Sequence, residues 1–198
     1  RLLNKILRHD ISNDLSAILG AIEIFKETKD ESFLDDAIKA GERSLNLIKD
    51  MREVESIMLE GKQREINLRE VIEEVKGSYD VEINVEGECT VLADDAITSV
   101  VSNLVKNAVT HSGTDRIDIK MRKINGFCEL RVIDYGKGIP DEIKADIFKE
   151  GFKYGRTAHT GLGLYIVKSV VEKYGGEVWV EDNEPKGSVF VIRLRSSE

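Results

Sequence analysis

Four groups of residues between positions 103 and 163 could do chemistry together. Asn103 and Asn107 lie four apart in VSNLVKNAVTHS, so a helix presents both on one face. An amide carbonyl is a neutral hard-oxygen ligand that suits a Mg2+ ion carrying phosphates and water. The same two amides could instead satisfy backbone groups. Asp134 ends a strand-like run and is followed by Gly136 and Gly138 in VIDYGKGIP. A carboxylate there can accept a hydrogen bond from an amine such as the exocyclic group of adenine. The glycines let the backbone approach closely or take φ > 0. An ordinary strand-ending turn would read the same way. Residues 149–160 form a mobile-looking span, and Gly161 and Gly163 then open an amphipathic run through Leu162, Ile166, Val170 and Tyr174. N–H groups at such a helix start can hold phosphate. Ile166 stands where a dinucleotide fingerprint has its third glycine, and no Walker A sequence is present. Together these are the parts of a nucleotide pocket of another class.

A fifth group lies far upstream. His9 is followed by Asp10, with Asn13 one turn on, in RHDISNDL. Neutral imidazole is a nucleophile near pH 7, and an adjacent acid can fix its tautomer. A solitary surface histidine is the plainer reading of that residue alone.

These residues need elements to hold them. Residues 1–27 read as one helix, with Leu3, Leu7, Ile11, Ile18, Ile22 and Phe25 on one stripe and Leu2, Ile6, Leu15 and Leu19 beside it. His9 falls on the outer flank. Residues 28–31 are a polar turn, with Ser32 as expected N-cap and Asp35 in the first turn. Residues 33–59 form a second helix striped by Leu34, Ala37, Ile38, Gly41, Leu45, Ile48, Met51, Val54 and Met58. Each helix is about 40 Å long. Stripes this wide need more cover than one antiparallel partner gives, and two hairpins paired in a homodimeric four-helix bundle supply it. The C-terminal part of the same chain is the alternative cover.

The pattern changes at 60–63. Asn67 is placed to cap a helix over 68–77. Short strands follow at 79–85 and 89–92, then a helix from Asp94 or Asp95 to about 109. Residues 116–123 and 127–134 form a hairpin about Asn125-Gly126. Residues 161–174 are helical to Gly175-Gly176, and strands cover 177–181 and 188–194. The fold class is α+β: a helical hairpin at 1–60, then a two-layer α/β sandwich with a mixed sheet at 61–198.

The formal net charge is −8, with 41% hydrophobic and 33% charged residues. That balance argues against nucleic acid or an anionic membrane as main partner. No apolar run approaches the roughly 20 residues that span a bilayer. Cys89 and Cys128 lack metal-site spacing and read as buried free thiols of a reducing cytosol. The chain opens on Arg1 rather than Met, so a longer parent, soluble or membrane-anchored, is expected.

Residues 62–198 resemble the ATP-binding domain of sensor histidine kinases, part of the fold shared with gyrase, Hsp90 and MutL. NLVKNA resembles the N box, DYGKG the G1 box, IFKEGF the F box and GLGL the G2 box, in the family's order. RHDISNDL resembles the H box of the same kinases. The resemblance implies that Asn103 and Asn107 bind Mg2+ and that Asp134 recognises adenine, framed by Gly136, Gly138 and Ile139. Gly161, Leu162, Gly163 and Leu164 would receive phosphates, and Phe148 and Phe152 would anchor a flexible ATP lid. Thr110 stands where the family usually has Lys or Arg, so Lys106, Lys153 or Arg156 would supply charge. His9 would be the phosphoacceptor, Asp10 its orienter or base, and Asn13 the residue that positions a water for dephosphorylating a partner. His111 and His159 carry less weight. Asp14 replaces a common Pro, which implies a straighter first helix. The implied partners are a second copy of the chain and a response regulator receiver domain, with 60–64 acting as a hinge. A nucleotide-binding scaffold and a different ATPase on the same fold are the rival readings.

Overall fold

The computed structural model describes residues 2–58, 61–154 and 161–197. Two helices of 27 residues, α1 (Leu2–Thr28) and α2 (Ser32–Met58), form an antiparallel hairpin. Lys29 takes φ 58° in the turn. Ser32 is not the N-cap. It begins the helix, and the Asp30 carboxylate accepts its N–H at 2.9 Å. An Asp closing a turn on a backbone N–H two residues on has displaced the cap upstream. α1 runs unbroken through Asp14. That carboxylate accepts two hydrogen bonds from Arg43 (2.9 and 3.1 Å) and one from the Ser44 hydroxyl (3.1 Å). Position 14 thus sets the register of the hairpin.

The second helix carries two apolar faces. Ala40, Leu47 and Val54 are buried, while Ile38, Leu45 and Ile48 of the expected stripe remain 59%, 68% and 39% exposed. On α1, Leu15 and Leu19 are likewise exposed. The side chains of Leu2, Leu3, Ile6, Leu7 and Met58 lie outside the described residues, as does Glu60 of the expected hinge.

The rest of the chain runs β1 (Arg64–Asn67), α3 (Leu68–Lys76), β2 (Glu82–Glu86), β3 (Thr90–Ala93), α4 (Ala96–Asn107), a π-helical turn (Ala108–Ser112), β4 (Arg116–Ile124), β5 (Phe127–Asp134), α5 (Asp141–Lys144), α6 (Gly163–Lys173), β6 (Glu177–Asp182) and β7 (Ser188–Arg195). The main sheet has order β2-β4-β5-β7-β6, with β2 and β4 parallel and the other neighbours antiparallel. β1 and β3 form a separate ribbon. Alternation along the strands turns Ile117, Ile119, Leu130, Val132, Phe190 and Ile192 inward. The apolar faces of α3, α4 and α6 cover them, as in a two-layer sandwich.

Local signals explain most boundaries. Asn67 caps α3 by accepting the Arg69 N–H at 2.9 Å, and Asp94 accepts that of Ala96 at 3.1 Å before α4. The strand expected from 79 starts only at Glu82, because Tyr79 sits in a turn and its hydroxyl bonds to Ser102. Arg64, expected in the hinge, opens β1 instead. Cys89 and Cys128 are not free thiols. They form a disulfide across 39 residues with Cα atoms 5.9 Å apart. Both point into the same core, where the packing of the strand ends brings them together. The reading of a reducing compartment loses that support.

The hairpin docks on the sandwich through one face of α2. Leu47, Asp50 and Val54, at steps of three and four, are all buried. Leu47 and Val54 join the apolar cluster that contains the sandwich core, and Ile11 of α1 packs against it.

Candidate active site

A cleft opens between α4, α6 and the segment after β5. Asp134 sits at its floor, 2% exposed. The Gly136 N–H donates to its carboxylate at 2.9 Å. The Ser188 N–H and the hydroxyls of Ser112 and Ser188 also act on it. Burial nonetheless dominates and pushes the Asp134 carboxyl above the ordinary carboxylate range, the hydrogen bonds pulling the other way. The backbone around it is packed too tightly for side chains. A Cβ on Gly136 would lie 2.2 Å from the Ser112 carbonyl oxygen, and one on Gly187 2.0 Å from that of Asp134. Gly138, Ile139, Pro140, Ile143, Ile147 and Phe190 add an apolar wall to the cleft. A buried acceptor under an apolar wall suits a flat heterocycle bearing an amine.

Asn103, Lys106, Asn107 and Thr110 line the cleft from the α4 side, and Gly161, Gly163 and Leu164 from the α6 side. Asn103 donates from Nδ2 to the Ser99 carbonyl at 3.0 Å, so the backbone-satisfying reading holds for its nitrogen. Its Oδ1 is turned to Gly163, 2.8 Å from where a Cβ there would stand. The amide oxygen thus faces the start of α6, and only glycine leaves that approach open. With Asn107 one turn on, the donor set is neutral oxygen, which fits a hard cation bridging phosphates. Gly161 takes φ +70° and precedes the helix rather than opening it.

His9 is 72% exposed on α1. Its Nδ1 lies 3.1 Å from Asp10 Oδ1, and Asn13 Nδ2 stands 3.3 and 3.4 Å from its two ring nitrogens. The other Asp10 oxygen accepts a hydrogen bond from Lys153 Nζ at 2.7 Å. That bond, foremost, holds the Asp10 carboxyl below its ordinary range, with burial opposing and His9 assisting.

Most of the expected pocket residues therefore meet. Phe152 lines the cleft, whereas Phe148 is buried against Phe190 in an edge-to-face pair at 6.3 Å. Gly136 acts from behind Asp134 rather than in the wall. Leu162 is 1% exposed, so its side chain anchors the loop in the core. Lys153 is not brought to the cleft but to Asp10. Arg156, His159 and the 155–160 part of the expected mobile span lie outside the described residues, as does the side chain of His111. Sequence reasoning missed Ser112, Ser188 and Asp50. Ser188 occupies an inward register position with Phe190 and Ile192, and Asp50 interrupts the Leu47–Val54 face. A polar residue in each apolar row was the available signal.

Residues 93–198 match the histidine kinase-, DNA gyrase B-, and HSP90-like ATPase family, and residues 1–60 match the His Kinase A (phospho-acceptor) domain. The chain belongs to that ATPase family and has the make-up of a histidine kinase catalytic core. It is 31% identical over 218 residues to the sensor histidine kinase YclK of Bacillus subtilis, covering 94% of this chain and 44% of that protein. It is 26% identical over 202 residues to a probable C4-dicarboxylate sensor kinase of Halalkalibacterium halodurans, covering 96% and 36%. The chain thus spans less than half the length of these curated relatives. Among solved structures, the histidine kinase ThkA in complex with the response regulator protein TrrA matches with TM-score 0.73 and 26% identity, over 96% of this chain and 60% of that one. Acinetobacter baumannii AdeS shares the fold with TM-score 0.76 at 20% identity, over 96% and 98%.

Proposed function

We propose that this chain is the catalytic core of an ATP-dependent protein histidine kinase that phosphorylates His9 and passes the phosphoryl group to an aspartate of a response regulator. The observation that carries the reading is the exposed imidazole with an acid at 3.1 Å, in a chain whose other half is an ATPase pocket. Residues 1–60 serve as dimerisation and phosphotransfer hairpin and 61–198 as ATP-binding domain, within a cytoplasmic region.

Asp10 accepts a hydrogen bond from His9 Nδ1–H, which leaves the Nε2 lone pair facing outward. Nε2 attacks the γ-phosphorus of ATP. The bond to the β,γ-bridging oxygen breaks, and ADP leaves with that electron pair. The phosphoryl group rests on Nε2 while Asp10 stabilises the Nδ1 proton of the imidazolium. Such transfer needs positioning and charge more than covalent chemistry, which fits a site of amides, glycines and lysines. Asn103 and Asn107 would hold a Mg2+ ion, whose charge offsets that of the phosphates. Asp134 orients the base, and Lys106 supplies positive charge near Thr110. Asn13 places a water for hydrolysis of the phosphorylated regulator.

Incubation with γ-labelled ATP separates this from its rivals. An acid-labile, alkali-stable label on the chain supports the kinase. Nucleotide binding without label makes the chain a scaffold, and phosphate release without phosphoprotein makes it a plain ATPase.

A further inference from the structure

We propose that phosphoryl transfer runs within one subunit, and that Lys153 is the positioning residue that seats the pocket over the His9 of its own chain. This inference rests on the kinase reading above. Lys153 directly follows Phe152, which lines the cleft. Its ammonium does not join Lys106 in the cleft wall but bonds at 2.7 Å to Asp10, whose other oxygen faces His9. One carboxylate therefore ties the rim of the pocket to the phosphoacceptor of the same chain.

A second contact agrees. Asp50 of α2, 8% exposed, forms part of the pocket wall. The bonds of Asp14 to Arg43 and Ser44 set the antiparallel register. Stepping one turn along both helices puts Asp10 opposite positions 47 and 48, so Asp50 and His9 lie within about one helical turn, roughly 5 Å, along the hairpin. The tether is short as well. Five residues separate Met58 of α2 from Arg64 of β1, a reach of at most about 22 Å over six extended steps. The buried Leu47 and Val54 hold the sandwich to its own α2.

Mixed dimers test this, made by co-expressing two differently tagged chains and purifying through both tags. A dimer of wild type with the double variant His9→Gln, Asn107→Ala is expected to label on its wild-type chain. A dimer of His9→Gln with Asn107→Ala is expected to stay unlabelled. Label in the second dimer overturns the proposal. If the wild-type homodimer itself takes no label, the kinase reading fails and this inference falls with it. Lys153→Ala is expected to lower the labelling rate about a hundredfold through mispositioning. Its affinity for a non-hydrolysable ATP analogue should stay unchanged, and Lys153→Arg should restore much of the rate. Loss of analogue affinity in Lys153→Ala would make Lys153 a phosphate ligand and overturn the positioning role.

Discussion

Two aspartates in this chain are pushed in opposite directions by their surroundings, and each direction suits the role proposed for it. Asp134 lies on the floor of the cleft, where burial raises its carboxyl above the ordinary range. Asp10 is held down by Lys153. Protonation turns Asp134 from acceptor to donor, which a base amine cannot use. Binding of an adenine nucleotide should therefore weaken as pH falls, beginning above the usual titration range of aspartate. Calorimetric titration between pH 7 and pH 4 checks this, and constant affinity down to the ordinary aspartate range would contradict it. The same shift means that folded Asp134 disfavours its charge. Its contribution to stability is full below the unfolded value and is lost as pH rises through the folded one. Asp10 behaves oppositely, its contribution being lost only as pH falls through its lowered value. Asp134 was legible because an acid ending a strand before glycines is a local pattern. The Lys153–Asp10 bond spans 143 positions, and no local pattern encodes such a pair.

The long helices were readable from periodicity alone, and the Asn125-Gly126 turn placed β4 and β5. The four-residue β1 and α5 were not, since so short a run carries no period. The helix over 94–109 was read as continuous, but a π-helical turn spans Ala108–Ser112 and is capped by Gly113 in the left-handed region. On α2 the expected stripe, read as the face of a homodimeric bundle, leaves Ile38, Leu45 and Ile48 uncovered within the chain, while Leu47 of the other apolar face joins the chain's own core. The uncovered face holds Leu45 and Ile38, and on α1 Leu15 and Leu19. If that face is the dimer interface, Leu19→Glu with Leu45→Glu should give a folded monomer by light scattering, and an unchanged mass would place the interface elsewhere. Asp14 acts within the hairpin. Asp14→Ala removes its bonds to Arg43 and Ser44 and should cost about 1–2 kcal/mol in denaturant unfolding, since Asp14 is largely buried and Arg43 half-exposed.

For the whole molecule, the two halves are joined by more than a linker. α2 gives Leu47 and Val54 to the common core and Asp50 to the pocket wall. The Cys89–Cys128 bond closes a 39-residue separation within the sandwich, worth up to about 4 kcal/mol by chain entropy. A reductant should lower the unfolding midpoint accordingly, and an unchanged midpoint would show that the bond adds nothing. The nucleotide half was legible because its motifs are local and ordered. The docking of the halves was not, because it depends on which of two apolar faces meets which partner.

On the proposed reading, the ATP-binding half delivers the γ-phosphoryl group of ATP to one imidazole, that of His9. Incubating the chain with ATP and magnesium, then mapping the modification by mass spectrometry under alkaline conditions, reads out that delivery. The expected result is a single phosphoryl group on the peptide containing His9, absent in His9→Gln. A phosphoryl group on another residue, or its persistence in His9→Gln, would contradict it.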